Sequence, residues 1–225
     1  MIGYTGDLMF NFINRLARLL LGLFLYSLGI VFTIKANIGY APWDVFHAGL
    51  ARTFGMTIGN WSIIVGAVLI AVTVLMGEKI GLGTLLNMVL IGLFLDILLN
   101  IPLIPVMKDW VTGLALMTAG LFVISVASYY YIGSGFGAGP RDSLMVALTR
   151  KTGLPVGFCR GSIELTAVVT GWLLGGMAGV GTVISGFAIG FCIQLTFRLL
   201  RFDPAGVMHV NLWDTFKALK KPVIR

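Results

Sequence analysis

Two short segments in an otherwise apolar chain are spelled almost alike: Gly39-Tyr-Ala-Pro42-Trp-Asp44 and Gly137-Ala-Gly-Pro140-Arg-Asp142. Glycine permits a left-handed backbone or a close approach, and proline suits the first turn of a helix, where its missing N–H costs nothing. An aspartate two residues later can accept from free amides and complement the positive end of the helix dipole. Such a pattern starts a helix. It could also do chemistry, because free amides suit an anionic group and a pair of aspartates suits a cation or protons. Arg141 stands where the first segment has Trp43, so a site built from both segments would be chemically asymmetric, as a site for one asymmetric solute must be.

Few other polar groups lie in the apolar runs. Asp96 is an intramembrane carboxylate, a costly placement that marks a candidate proton carrier, although it sits near the end of its helix. Glu164 follows Arg160 by one helical turn and suits a structural ion pair. Asn87 and Ser185 suit bonds between helices. Arg52 and Arg150 end short helical stretches, where a cation complements the dipole. The candidate binding residues are therefore Pro42, Asp44, Asp96, Pro140, Arg141 and Asp142.

Absences narrow the chemistry. The two histidines, His47 and His209, fall in different environments, and the two cysteines, Cys159 and Cys192, lie in apolar stretches without CxxC spacing. They read as small buried hydrophobes, neither disulfide nor metal ligands. No P-loop, HExxH or G-x-S-x-G motif occurs. No catalytic residue, metal or cofactor is expected, and no enzymatic activity.

These residues are positioned by a duplicated unit. Residues 13–99 align with 111–197 at a constant offset of 98, with 21 identities among 87 pairs. Gly39, Pro42, Asp44 and Arg52 match Gly137, Pro140, Asp142 and Arg150, which chance pairing of apolar letters would not preserve. Each copy reads as three long helices and one short one, over 16–34, 43–54, 60–76 and 82–99, then 114–132, 141–152, 158–174 and 180–200. Pro102 and Pro105 break the chain between the copies.

The chain of 225 residues is 58% hydrophobic and 11% charged, and runs of about 20 apolar residues can each cross a ~30 Å hydrocarbon core as a helix. Lipid offers the backbone no hydrogen bonds, and continuous rather than alternating apolarity excludes a barrel. The fold class is an all-α membrane protein, a single integral domain over 1–225. A helix of about 12 residues rises only ~18 Å, too little to span. Six transmembrane helices with two short re-entrant or interfacial ones follow. Three spans per copy would make the tandem repeats inverted.

With six spans and the N-terminus inside, the cytoplasmic side collects 13 of the 16 Lys and Arg residues, leaving Lys35, Arg52 and Lys108 outside. Counting the short helices as spans also yields 13, by exchanging Arg52 and Lys108 for Lys79 and Arg141. Charge thus places both termini in the cytoplasm and leaves the number of spans to helix length. The net charge of +7 is accounted for by this bias, and nucleic acid is not an expected partner. Residues 202–225 form a cytoplasmic tail, with an amphipathic helix over 207–221 suited to an anionic leaflet. Gly186 and Gly190 make a GxxxG, compatible with an internal contact or a homo-oligomer.

The run Thr33-Ile-Lys-Ala-Asn-Ile-Gly-Tyr-Ala-Pro-Trp-Asp-Val-Phe-His-Ala-Gly-Leu50, followed by Gly59-Asn-Trp-Ser-Ile-Ile-Val-Gly66, resembles the bacterial YczE/YyaS/YitT family of integral membrane proteins. That resemblance spans about Arg15 to Arg201 and implies a multi-pass protein of the bacterial inner membrane. Function rests on the residues. Broken hydrophobic segments at matching positions of two halves point to a transporter site, so a small-solute or ion permease is expected, with lipid and an unknown solute as partners. The alternative is an accessory or scaffold membrane protein that supports another enzyme or complex.

Overall fold

The computed structural model describes residues 2–207 and 211, with side chains from Phe12 onward except at Ala205. It is all helical among these residues: α1 (Ile2–Lys35), α2 (Pro42–Phe54), α3 (Ile58–Leu75), α4 (Leu82–Asn100), α5 (Trp110–Gly133), α6 (Pro140–Thr152), α7 (Val156–Leu173) and α8 (Val180–Leu199), with a short 3-10 turn at Pro204–Gly206. The helices fall close to their expected bounds, except that α1 begins at Ile2 instead of residue 16. The amphipathic helix expected over 207–221 falls outside the described residues, apart from Val207 and Asn211.

Five helical stretches are long and apolar enough to cross a membrane: Phe12–Lys35, Ile58–Leu75, Leu82–Asn100, Trp110–Gly133 and Val180–Leu199. The sixth expected span, α7, matches α3 in its 18 residues but carries Arg160 and Glu164 and is not among them. Large apolar side chains such as Leu75, Leu165 and Phe187 face outward, the surface a lipid solvent selects. The short helices α2 and α6 have 13 residues each and start with proline at the first turn.

Helices α1 and α5 pack along each other at the centre. Gly29 of α1 and Gly120 of α5 let the backbones approach so closely that a methyl at Gly29 would stand 2.8 Å from the Gly120 carbonyl oxygen. Most of the remaining contacts recur at the offset of 98, the packing of α3 on α4 being the exception. Helix α4 lies on α1 as α8 lies on α5, and α2 lies on α7 as α6 lies on α3. The carbonyl of Ile38 accepts from Gly181 N–H (2.7 Å), and that of Phe136 accepts from Gly83 N–H (2.8 Å). Each loop ahead of a short helix is thus bonded to the N-terminus of the last helix in the other half. At the far ends, Arg52 donates to the Gly175 carbonyl (3.1 Å) and Arg150 to that of Met76 (3.0 Å), just past the ends of α7 and α3. These two arginines were expected to complement their own helices. They do lie in the last turns of α2 and α6, and they also reach carbonyls just past the C-terminus of a helix from the other half, where a cation is equally favoured.

Candidate functional site

Helices α2 and α6 begin beside one another. The guanidinium of Arg141, second residue of α6, lies 4.8 Å from the centroid of the Trp43 ring, second residue of α2. A position at which the two segments differ is therefore one at which they touch. Neither Asp44 nor Asp142 caps its helix: α2 and α6 both lack a side-chain cap hydrogen bond. Proline alone supplies the start.

Where these ends meet, the packing leaves a cavity of about 320 Å³, to which all eight helices among the described residues contribute. The volume suits one small solute. Its polar wall includes Trp43 and His47 of α2, Asn87 of α4, Tyr131 of α5 and Arg141 and Asp142 of α6. The rest is mostly aliphatic, with Ile30, Val65 and Leu69 among it. Asp142 is an exposed residue although it lies deep in the fold, because its free surface is cavity wall. Its carboxylate and the Asn87 amide converge beside Gly139: a methyl there would stand 3.6 Å from Asp142 Oδ2 and 3.7 Å from both polar atoms of Asn87.

Several polar atoms here have no hydrogen-bond partner among the described residues. His47 Nδ1 and Tyr131 Oη are buried without a hydrogen bond and belong to wall residues. Asp44 Oδ1 is also unpartnered, 3.9 Å from His47 Nδ1. A buried polar group without a partner costs about 1–3 kcal/mol, so such a concentration in one region calls for a reason. Arg160 and Glu164 also line the cavity but satisfy each other at 3.0 Å. Among the described residues no group of His, Cys, Asp and Glu could hold a metal ion.

The six sequence candidates divide. Pro140, Arg141 and Asp142 line the cavity. Asp44 is 3% exposed and sits behind His47 rather than on the wall. Pro42 turns toward α8, with Cγ 3.9 Å from where a methyl on Gly186 would lie. Asp96 lies elsewhere: Oδ2 accepts from Thr57 Oγ1 (2.5 Å) and Oδ1 from Gly59 N–H (2.9 Å). It ties α4 to the first turn of α3, which explains a carboxylate near a helix end without a transport role. Tyr26, His47, Asn87 and Tyr131 were not singled out as site residues, because single aromatic or amide residues in an apolar helix carry no spacing signal. Arg160 and Glu164 did carry one. Both charges lie in an apolar helix whose other-half counterparts are Ser62 and Gly66, and charge at that depth is by default functional.

The sequence compares with known proteins as follows. "Uncharacterized membrane protein YczE" of Bacillus subtilis (strain 168) is 37% identical over 190 residues, covering 82% of this chain and 87% of that protein. An "Uncharacterized protein" of Haemophilus influenzae is 30% identical over 187 residues, 83% of this chain and 85% of its own length. "Uncharacterized protein YyaS" of Bacillus subtilis is 24% identical over 168 residues, 73% and 83% of the two chains. The expected likeness to YczE and YyaS is shown, and that to YitT is not. No solved structure gives a significant match. Apolar helices and these relatives make it a membrane protein, and with a match over residues 13–198 the chain belongs to the DUF6198 family, a family of unknown function.

Proposed function

We propose that the protein is a small-solute or ion permease of the bacterial inner membrane, with its site in the cavity at the starts of α2 and α6. In this reading six helices span, with α7 as the sixth, both termini are cytoplasmic, and the two halves are inverted repeats about an axis in the membrane plane. Three features support it: the 98-residue offset shared by sequence and contacts, the short length of α2 and α6, and the charge bias. The single observation that carries the function is the cavity itself, about 320 Å³ in volume, with His47 Nδ1 and Tyr131 Oη of its wall buried without a hydrogen-bond partner among the described residues. A structural scaffold has no use for unsatisfied groups at membrane depth.

The two halves also differ in a way transport would use. Helix α3 packs closely on α4, with Gly59 and Gly92 in backbone contact, whereas α7 stands away from α8 and, among the described residues, a methyl on their counterparts Gly157 and Gly190 would meet nothing within 4 Å. In the permease this open seam is the present route to the cavity, and exchange of the two packings between halves would move access to the other side.

The test uses a deletion strain in which solute uptake is compared after complementation. Asp44→Asn with Asp142→Asn is expected to abolish uptake restored by the wild type, with equal protein in the membrane and an unchanged elution profile. Full uptake by that double variant would overturn the permease and leave the scaffold.

A further inference from the structure

Resting on the permease reading, we propose that the cavity takes a small zwitterion of the amino-acid type, its carboxylate on Arg141 and its cationic nitrogen on Asp142. Four charged side chains line the cavity besides His47. Arg160 and Glu164 are already paired at 3.0 Å and need nothing from a ligand. Among the described residues neither Arg141 nor Asp142 makes an ion pair or a side-chain hydrogen bond, and Arg141 lies with its face on Trp43. Stacking occupies the face of a guanidinium and leaves its edge donors free, in the planar fork that fits a carboxylate.

Neighbouring positions on a helix diverge by about 100°, from 3.6 residues per turn, so the two charges serve different parts of one wall. Arg141 goes to Trp43 on α2, and Asp142 Oδ2 lies beside Gly139, which the Asn87 amide of α4 also approaches. A simple anion would satisfy Arg141 and leave the Asp142 carboxylate without a hydrogen-bonding partner. A simple cation would do the reverse, and a neutral solute would satisfy neither. A zwitterion pairs both, and the buried groups left unpaired by the wrong ligand provide the discrimination. His47 Nδ1 and Tyr131 Oη offer two further unpartnered atoms in the same wall. The aliphatic remainder, with Ile30, Val65 and Leu69, leaves an apolar surface for a side chain, within the limit set by 320 Å³.

The experiment measures ligand binding and thermal midpoints on the full chain in detergent. The probes are L-leucine, L-valine, L-alanine and glycine, each beside the acid lacking its amino group and the amine lacking its carboxyl. At least one amino acid is expected to bind at least about tenfold more tightly than its matched acid and amine. Arg141→Gln should shift the preference toward the amine, and Asp142→Asn toward the acid. Arg141→Lys should keep the order of the wild type with weaker binding. Mere structural damage would weaken all three probes together. If either variant fails to fold, the three-way comparison on the wild type still decides. An acid or amine that binds as well as its amino acid, or no binding by any of the four amino acids, overturns the zwitterion. It leaves the permease standing, since that falls only on unimpaired uptake by the double aspartate variant.

Discussion

Asp44 and Asp96 are both carboxylates in apolar surroundings, and their neighbours give them opposite roles. Asp96 accepts from Thr57 and from the Gly59 amide, whereas Asp44 Oδ1 accepts from nothing. Removing a cap that serves a helix start costs about 0.5–2 kcal/mol, so Asp96→Ala should lower the unfolding free energy by that amount and leave ligand binding intact. Asp44→Asn removes no hydrogen bond from Oδ1 and relieves a buried charge, so stability should stay within about 0.5 kcal/mol of the wild type or rise. Thermal unfolding of both variants in one detergent checks the contrast, and equal losses would return Asp44 to a structural role. The sequence makes both residues conspicuous, because a carboxylate in an apolar run is rare. Which of them is satisfied depends on Thr57 and Gly59, which lie 39 and 37 residues from Asp96.

At the scale of elements, each short helix is positioned by the loop before it. Gly39 and Gly137 both hold φ at +115°, a conformation that side chains resist. They also leave no room: a methyl at Gly39 would meet the Gly179 amide nitrogen at 2.7 Å, and one at Gly137 would meet the Gly81 Cα at 2.9 Å. Gly39→Ala and Gly137→Ala should each cost at least about 1–3 kcal/mol and displace the start of the following short helix. Because the two loops use matching bonds, the two losses should be similar, which paired thermal melts can measure. Unequal losses would mean the halves are less alike in energy than in geometry. The sequence shows these glycines in register with their prolines, so the helix starts were legible. That each loop seats on the other half was not, because hydrogen bonds from the Gly181 amide to the Ile38 carbonyl and from the Gly83 amide to the Phe136 carbonyl leave no trace in residue type.

Across the whole molecule, the two halves share a contact pattern and depart from it at one seam. A methyl on Gly59 would lie 2.1 Å from the Gly92 carbonyl oxygen, whereas one on Gly157 would meet nothing. Gly59→Ala should therefore be destabilising, and Gly157→Ala should melt as the wild type does. If the proposed permease function holds, a short cross-linker between Gly157→Cys and Gly190→Cys, with Cys159 and Cys192 replaced by Ala, should arrest uptake by holding the open seam. Unchanged uptake would exclude that seam as the route. The number of spans is also decided at this scale. A cysteine at Lys79 should resist an impermeant thiol reagent added from outside if α2 and α6 do not cross, and labelling from outside would mean that they do.

Composition and pattern by themselves determined the helical membrane class, the approximate bounds of the helices other than the start of α1, the 98-residue offset and the two segments that meet at the cavity. These follow from local physics: apolar runs demand lipid, and glycine and proline dictate backbone. The tertiary structure alone decided that Arg141 stacks on Trp43, that Asp142 faces a cavity with Asn87, that Asp96 is a cap, and that one seam is packed while its counterpart stands open. Partners brought together from distant parts of the chain set those outcomes, and whether a polar group is satisfied is a property of its neighbours, not of its own residue type.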